Sequence, residues 1–379
     1  MFKKKHGKYL ETLAYGTIAF FSVFLVSVSQ VFIVNILFYP ALLILSRKRR
    51  VFLDDSKTNN QVVVLVLFAL SAILSSLVWY IEKYRSIAPS DTLRMLVQLL
   101  FTMQYAVLCL KIEIDWVKIS RWFSRMVFFY AILIVLLFVA TKSFRYMRTL
   151  LYIPEHRMWA EGLIPQWPNV SSLPLVFGCY LAFKGNRRTV EKVLIVVSTL
   201  LTTSRSGILG IGLIILYFTT LPVGEADQKK QIGTFLKRGF VLAAVTIIIA
   251  SVIEPSVLPR LFLMSDRFDI ASIGLGLLFE RPLFGYGGLT LDQVIKTGSY
   301  SHLHNWFLEI LFRYGSLGLM MFLLFLYSVW QRVKSRDDKF MMLVLLFLAF
   351  FQIYIRNFVF LMFLLYLENH ETTPHVQEK

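Results

Sequence analysis

Three short stretches hold the residues whose types and spacing could do chemistry. The first, Thr202-Thr203-Ser204-Arg205-Ser206-Gly207, sets a guanidinium among hydroxyls just before an apolar run. A helix opening there would bring free backbone N–H groups and a positive dipole end to the same place. Such a site favours an anion, and phosphate above others, because arginine presents a planar fork of donors. The same residues fit a plain N-cap with its arginine reaching to a membrane interface equally well. In the second stretch, Ser265-Asp266-Arg267-Phe268-Asp269-Ile270 leads an apolar run to Glu280, followed by Arg281-Pro282-Leu283-Phe284-Gly285-Tyr286-Gly287-Gly288. Arg267 then sits at the start of an interfacial helix that the Pro-to-Gly run ends in a tight turn, where it either meets a ligand or pairs with Asp266 or Asp269.

The third stretch, Ser301-His302-Leu303-His304-Asn305-Trp306, holds two of the six histidines. Asn305 is a natural N-cap for a short amphipathic helix through Tyr314, broken at Gly315. An H-x-H pair can bind a metal, but no acidic or cysteine ligand lies nearby, so a general base is the better chemical role for an imidazole that titrates near neutrality. The structural alternative is an interfacial histidine with a backbone partner. A weaker fourth feature is the loop Glu155 to Gly162 followed by Gln166-Trp167-Pro168-Asn169, where aromatics beside polar groups suit sugar stacking or simple interfacial anchoring.

What must position these residues is a membrane. The chain has 379 residues, 57% hydrophobic and only 17% charged, against about 25% charged in a soluble domain. Spanning-length apolar runs place helices near 9–28, 30–45, 61–81, 92–110, 123–141, 170–183, 190–203, 206–221, 239–254, 316–331, 339–354 and 356–367. The expectation is one all-α polytopic membrane domain over 1–379 with about twelve transmembrane helices. The first run, after Lys3, Lys4, Lys5 and Lys8, lacks a small-x-small cleavage site and reads as a retained helix.

The formal charge of +17 does not imply a nucleic-acid partner, because the Lys and Arg residues cluster in short segments between apolar runs, as in Arg47-Lys48-Arg49-Arg50 and Arg187-Arg188. Those dense clusters put both termini in the cytoplasm. The two longest loops, 142–169 and 254–315, are then extracytoplasmic, and 254–315 is the expected catalytic loop with its short interfacial helices. Cys109 and Cys179 have no metal-ligand spacing and imply no disulfide. No repeat, Gly-rich phosphate loop, zinc signature or nucleophile elbow occurs.

Taken together, the three stretches resemble the O-antigen ligase and O-antigen polymerase superfamily. Ser204-Arg205-Ser206-Gly207 resembles its S-R-x-(G/A) element. Arg267, before Arg281-Pro282-Leu283-Phe284-Gly285-Tyr286-Gly287, resembles its R...(N/R)-P-L-x-G-x-G block. His304-Asn305 with Leu308-Glu309 and Gly315-Ser316-Leu317-Gly318 resembles its H-N-x-x-L-x...G-x-x-G block. Pro168 and Asn169 fit the entry to the sixth helix. The resemblance is strong over roughly 160 to 330; the first 140 residues match only as hydrophobic helices. His302, two residues before the motif histidine, is a departure that leaves open which imidazole acts.

The resemblance implies a GT-C-like membrane glycosyltransferase of the bacterial cytoplasmic membrane, acting on its outer face without metal or other cofactor. The donor would be a glycan on undecaprenyl diphosphate and the acceptor a glycan or a lipid-linked unit, with a chain-length regulator and a flippase as candidate partners. By the same resemblance Arg205 and Arg267 would stabilise the leaving diphosphate and His304 would deprotonate or orient the acceptor hydroxyl. Ser204, Ser206, His302, Asn305, Arg281, Tyr286, Trp167 and Asn169 would contact substrate. A polymerase of repeat units is the leading expectation and a ligase to lipid A-core or another acceptor the alternative. A lipid-linked glycan transporter fits less well, since it would place ionisable residues near the bilayer midplane and these lie at the rim.

Overall fold

The computed structural model describes residues 2–24, 40–45, 56–83, 89–112, 114–141, 168–202, 204–220, 237, 265–295, 303, 305–350 and 358–369. Its regular elements are helices: α1 (Phe2–Phe24), α2 (Ser56–Lys83), α3 (Pro89–Lys111), α4 (Trp116–Ala140), α5 (Pro168–Lys184), α6 (Thr189–Leu201), α7 (Arg205–Thr220), α8 (Ser265–Glu280), α9 (Leu291–Ile295), α10 (Trp306–Arg332), α11 (Arg336–Ala349) and α12 (Phe358–Asn369). They form two compact units, one of Met1–Met126 with Ile270–Lys379, the other of Val127–Asp269.

Among the described residues, three helices are long and apolar enough to cross a membrane: Thr58–Val78, Trp116–Ala140 and Trp306–Arg332. On α2 the exposed residues Val63, Val66, Leu67, Leu70, Leu74 and Leu77 recur every three or four positions. That is one continuous apolar stripe, which water would penalise and lipid accepts. Shorter apolar helices at Tyr9–Phe24, Leu96–Lys111, Ser206–Thr220 and Val359–Asn369 fall on expected spans. The described residues thus show three helices that meet the length and composition of a span, and the twelve expected spans are not all covered by them. The expected span at 239–254, and most of that at 30–45, lie outside the described residues.

In the first unit α10 packs along α2 and against α12, while α3 packs on α2 and α12. α12 is buried from Val359 to Glu368, the signature of an interior helix apolar on all sides. Aromatic contacts fix the seam: Trp306 meets Phe322 at 4.5 Å and Phe360 at 4.6 Å, and Phe68 meets Tyr314 at 5.7 Å. In the second unit α5 lies against α6 and α7. α5 also comes close to α4, where a Cβ at Gly178 would sit 2.5 Å from Val127 Cγ1, so the approach needs a small residue.

The break expected at Gly315 is present. α10 is continuous except at Gly315, whose φ of 66° and ψ of −170° leave helical space. A side chain there would be strained by the positive φ and would collide with the Leu283 carbonyl. Gly315→Ala should therefore lose at least about 1–3 kcal/mol from backbone strain alone. Gly212→Ala on α7, where an added Cβ meets nothing within 4 Å, should be neutral or slightly stabilising. Thermal unfolding of the purified variants checks the contrast, and equal midpoints would remove the structural role given to Gly315.

Candidate active site

A broken helix leaves carbonyls before the break and N–H groups after it without helical partners. Here the turn after α8 supplies them. Tyr286 N–H donates to the Phe312 carbonyl at 2.9 Å and Gly287 N–H to that of Arg313 at 2.6 Å. In return Ser316 N–H donates to the Pro282 carbonyl at 2.8 Å and Leu317 N–H to that of Leu283 at 3.4 Å. Gly285, at φ 62°, lies so close to the Phe312 carbonyl that no Cβ fits. The second and third motifs are therefore one backbone unit, with 282–287 running beside 312–317.

Ser75 of α2 closes this unit from the side. Its hydroxyl accepts the Gly287 N–H at 3.1 Å and donates toward the carbonyls of Arg313, at 2.7 Å, and Phe284. Tyr286 is buried, its ring stacked on Phe312 at 5.0 Å and faced by the Arg281 guanidinium at 5.7 Å. Its hydroxyl lies 3.0 Å from both the Leu277 carbonyl and Glu280 Oε2. Burial, then the hydrogen bond and charge of Glu280, push the phenol up to about 12. Tyr286 is thus a neutral donor throughout the physiological range.

The segment before α10 is tied to the helix it leads. Asn305, extended at φ −138°, accepts the Leu308 N–H on its side chain at 3.0 Å, the N-cap expected of it. Glu309 Oε2 accepts the Leu303 N–H at 3.1 Å, while Oε1 lies 2.5 Å from Arg313 Nε. Arg313 also donates to the Gly288 carbonyl at 3.0 Å. Glu309 and Arg313 are each only 1% exposed.

In the second unit, α7 opens at Arg205 as expected, and Ser204 is its N-cap, accepting the Gly207 N–H at 3.1 Å. Ser204 Oγ also lies 3.0 Å from Ser172 Oγ and 3.2 Å from Ser206 Oγ, all three buried. Gly207 is required because a Cβ there would run into Ser172. The motif therefore seats the start of α7 on α5.

The expected site residues divide accordingly. Ser204 and Ser206 are brought together, and so are Arg281, Tyr286 and the α10 entry that Asn305 caps. Ser204, Asn305 and Tyr286, expected at the substrate, have polar atoms engaged inside the protein and hold the backbone that presents their neighbours. Arg205 and Arg267 are placed by backbone only, each in the first turn of its helix; their side chains, that of Asn169, and His302, His304 and Trp167 altogether lie outside the described residues. Ser75 and Arg313 escaped the sequence reading, and Glu309 entered it only as part of a motif. The available signals were a Glu–Arg pair at i, i+4 inside an apolar helix and a serine cluster, Ser71, Ser75 and Ser76, inside an apolar span.

A separate groove of about 570 Å³, lined by residues including Leu13, Gly16, Phe20, Trp122 and Met126, suits hydrocarbon rather than chemistry. Residues 192–323 match a family model described as O-antigen ligase. No curated protein matches the chain.

Tyr286→Phe should cost about 0.5–1.5 kcal/mol through its lost hydrogen bonds. With the phenol raised above its ordinary value near 10, that contribution is complete below about pH 10 and is lost as pH climbs through about 12. The gap in thermal midpoint between wild type and variant should stay constant from pH 6 to 9 and close toward pH 12. A gap that varies across neutral pH would contradict this assignment.

Proposed function

We propose that the chain, whose residues 192–323 match a family model described as O-antigen ligase, is a membrane glycosyltransferase that polymerises undecaprenyl-diphosphate-linked repeat units of a surface polysaccharide on the outer face of the cytoplasmic membrane. The observation that carries the reading is that the matched stretch contains all three candidate motifs, from Ser204 to Gly318. A twelve-span topology with these motifs on one face and both termini inside completes the proposal.

In this reaction the acceptor hydroxyl attacks the anomeric carbon of the donor. The glycosidic C–O bond to diphosphate breaks and the lipid diphosphate leaves with the bonding electrons. Arg205 and Arg267, each at a helix start, would meet the negative charge that grows on the leaving group, where donors fixed in advance stabilise a transition state most. His304 would take the acceptor proton, a role worth about 10²- to 10⁴-fold in rate. Arg281, His302, Trp167 and Asn169 are the proposed sugar and phosphate contacts. The family description itself favours a second reading, a ligase that moves finished polymer to a separate acceptor.

Purified protein in nanodiscs, given the lipid-linked repeat unit alone, should make a ladder of longer glycans on a sizing gel. Transfer only when a separate acceptor is added would replace polymerase with ligase, and no transfer in either case would overturn both. Arg205→Ala and Arg267→Ala should each abolish the ladder with membrane insertion kept, and the Lys variants should rescue poorly because the bidentate fork is lost.

A further inference from the structure

We infer that Glu309, oriented by Arg313, is a positioning residue for the peptide that carries His304. This rests on the reading of His304 as the proton acceptor. Residue 304 is bonded on one side to Leu303 and on the other to Asn305, and both neighbours are fastened to the first turn of α10. Leu303 gives its N–H to Glu309 Oε2, and Asn305 caps Leu308 while its carbonyl accepts the Glu309 N–H at 2.9 Å. The Leu303 side chain is itself buried, in a cluster with Ile270, Tyr286, Leu289 and Phe312. Two anchors that flank one residue restrict where that residue can go.

Helix stability does not account for the pair. A carboxylate in a first turn helps a helix when it is exposed, and needs no arginine to do so. Burying both ions carries a large desolvation cost, and apolar residues of similar volume often give equal or better stability. What charge provides here, and an apolar pair could not, is an acceptor for Leu303 N–H and a donor for the Gly288 carbonyl. These bonds join the end of the 281–288 turn to the approach to α10. Glu309 and Arg313 thus tie Leu303 and Asn305, the two neighbours of residue 304, to the turn that follows α8.

The test is a double-mutant cycle on full-length protein in nanodiscs, with transfer rate, acceptor KM and thermal midpoint read for each member. The apolar pair Glu309→Leu with Arg313→Met leaves the Leu303 N–H and the Gly288 carbonyl unpaired and should lower the midpoint, with acceptor KM unchanged and about 10²-fold lost in kcat, within the span a general base supplies. Glu309→Gln retains an acceptor for Leu303 N–H and should lose about tenfold or less. In the His304→Ala background neither change should lower the rate by more than about threefold, because the group they position is gone.

A native rate in the apolar pair, or a loss that repeats in full in the His304→Ala background, would overturn the positioning role. If the apolar pair does not fold, the cycle with Glu309→Gln decides by the same criterion. A near-normal rate in His304→Ala alone would instead overturn the general-base reading. A Glu309 effect that persists there would show that the carboxylate acts through another group.

Discussion

A buried helix break must find partners for the groups it releases, and the turn after α8 together with Ser75 is arranged to meet that demand at Gly315. In water the Phe312 and Arg313 carbonyls and the Ser316 and Leu317 N–H groups could hydrate. In hydrocarbon each unsatisfied group costs several kcal/mol. The turn at 282–287 pairs with all four. That pairing explains its composition: Pro282 ends α8 and leaves a carbonyl for Ser316, and Gly285 permits a backbone approach that any Cβ would block. Ser75 then completes the arrangement with a hydroxyl that accepts on one side and donates on the other.

The same demand explains why polar side chains gather here in a chain so apolar. Ser75, Glu309 and Arg313 all bond to backbone groups of residues near the turn or the α10 entry. A partly satisfied polar network in a low-dielectric interior is worse than none, whereas a connected one is rigid. Rigidity at this place matters for the proposed chemistry, because groups that stabilise a transition state do so most when they need not move. The cluster of Ser172, Ser204 and Ser206 does for the start of α7 what Ser75 does for the turn.

Local signals in the sequence reached further than long-range ones. Asn305 as a cap, the break at Gly315, the helix start at Arg205 and the turn after Glu280 were all legible, because each depends on a few adjacent residues with strong backbone preferences. The pairing of 282–287 with 312–317 was not, since two loops thirty residues apart carry no mark that their backbones meet. Ser75 was invisible for the same reason: a serine in a membrane helix most often bonds its own preceding turn, as Ser71 and Ser76 do. Residues expected at the substrate through their motif, such as Tyr286 and Ser204, have internal duties. A short motif records what must be kept in place as much as what touches the ligand.

All three motifs open helices: α7 at Arg205, α8 at Ser265 and α10 at Trp306. A bilayer enzyme has few other places for polar chemistry, since backbone N–H groups within a helix are already paired and irregular chain facing lipid is excluded. A helix start offers unpaired donors and a positive dipole end in one small volume. An arginine in the first turn adds a full positive charge to that partial one, an arrangement unfavourable to the helix alone and favourable once an anion arrives. For the proposed diphosphate leaving group, arginines at these two helix starts would meet the additional charge that grows as the glycosidic bond breaks. Stabilising that added charge more than the charge of the intact donor is what would accelerate the proposed transfer.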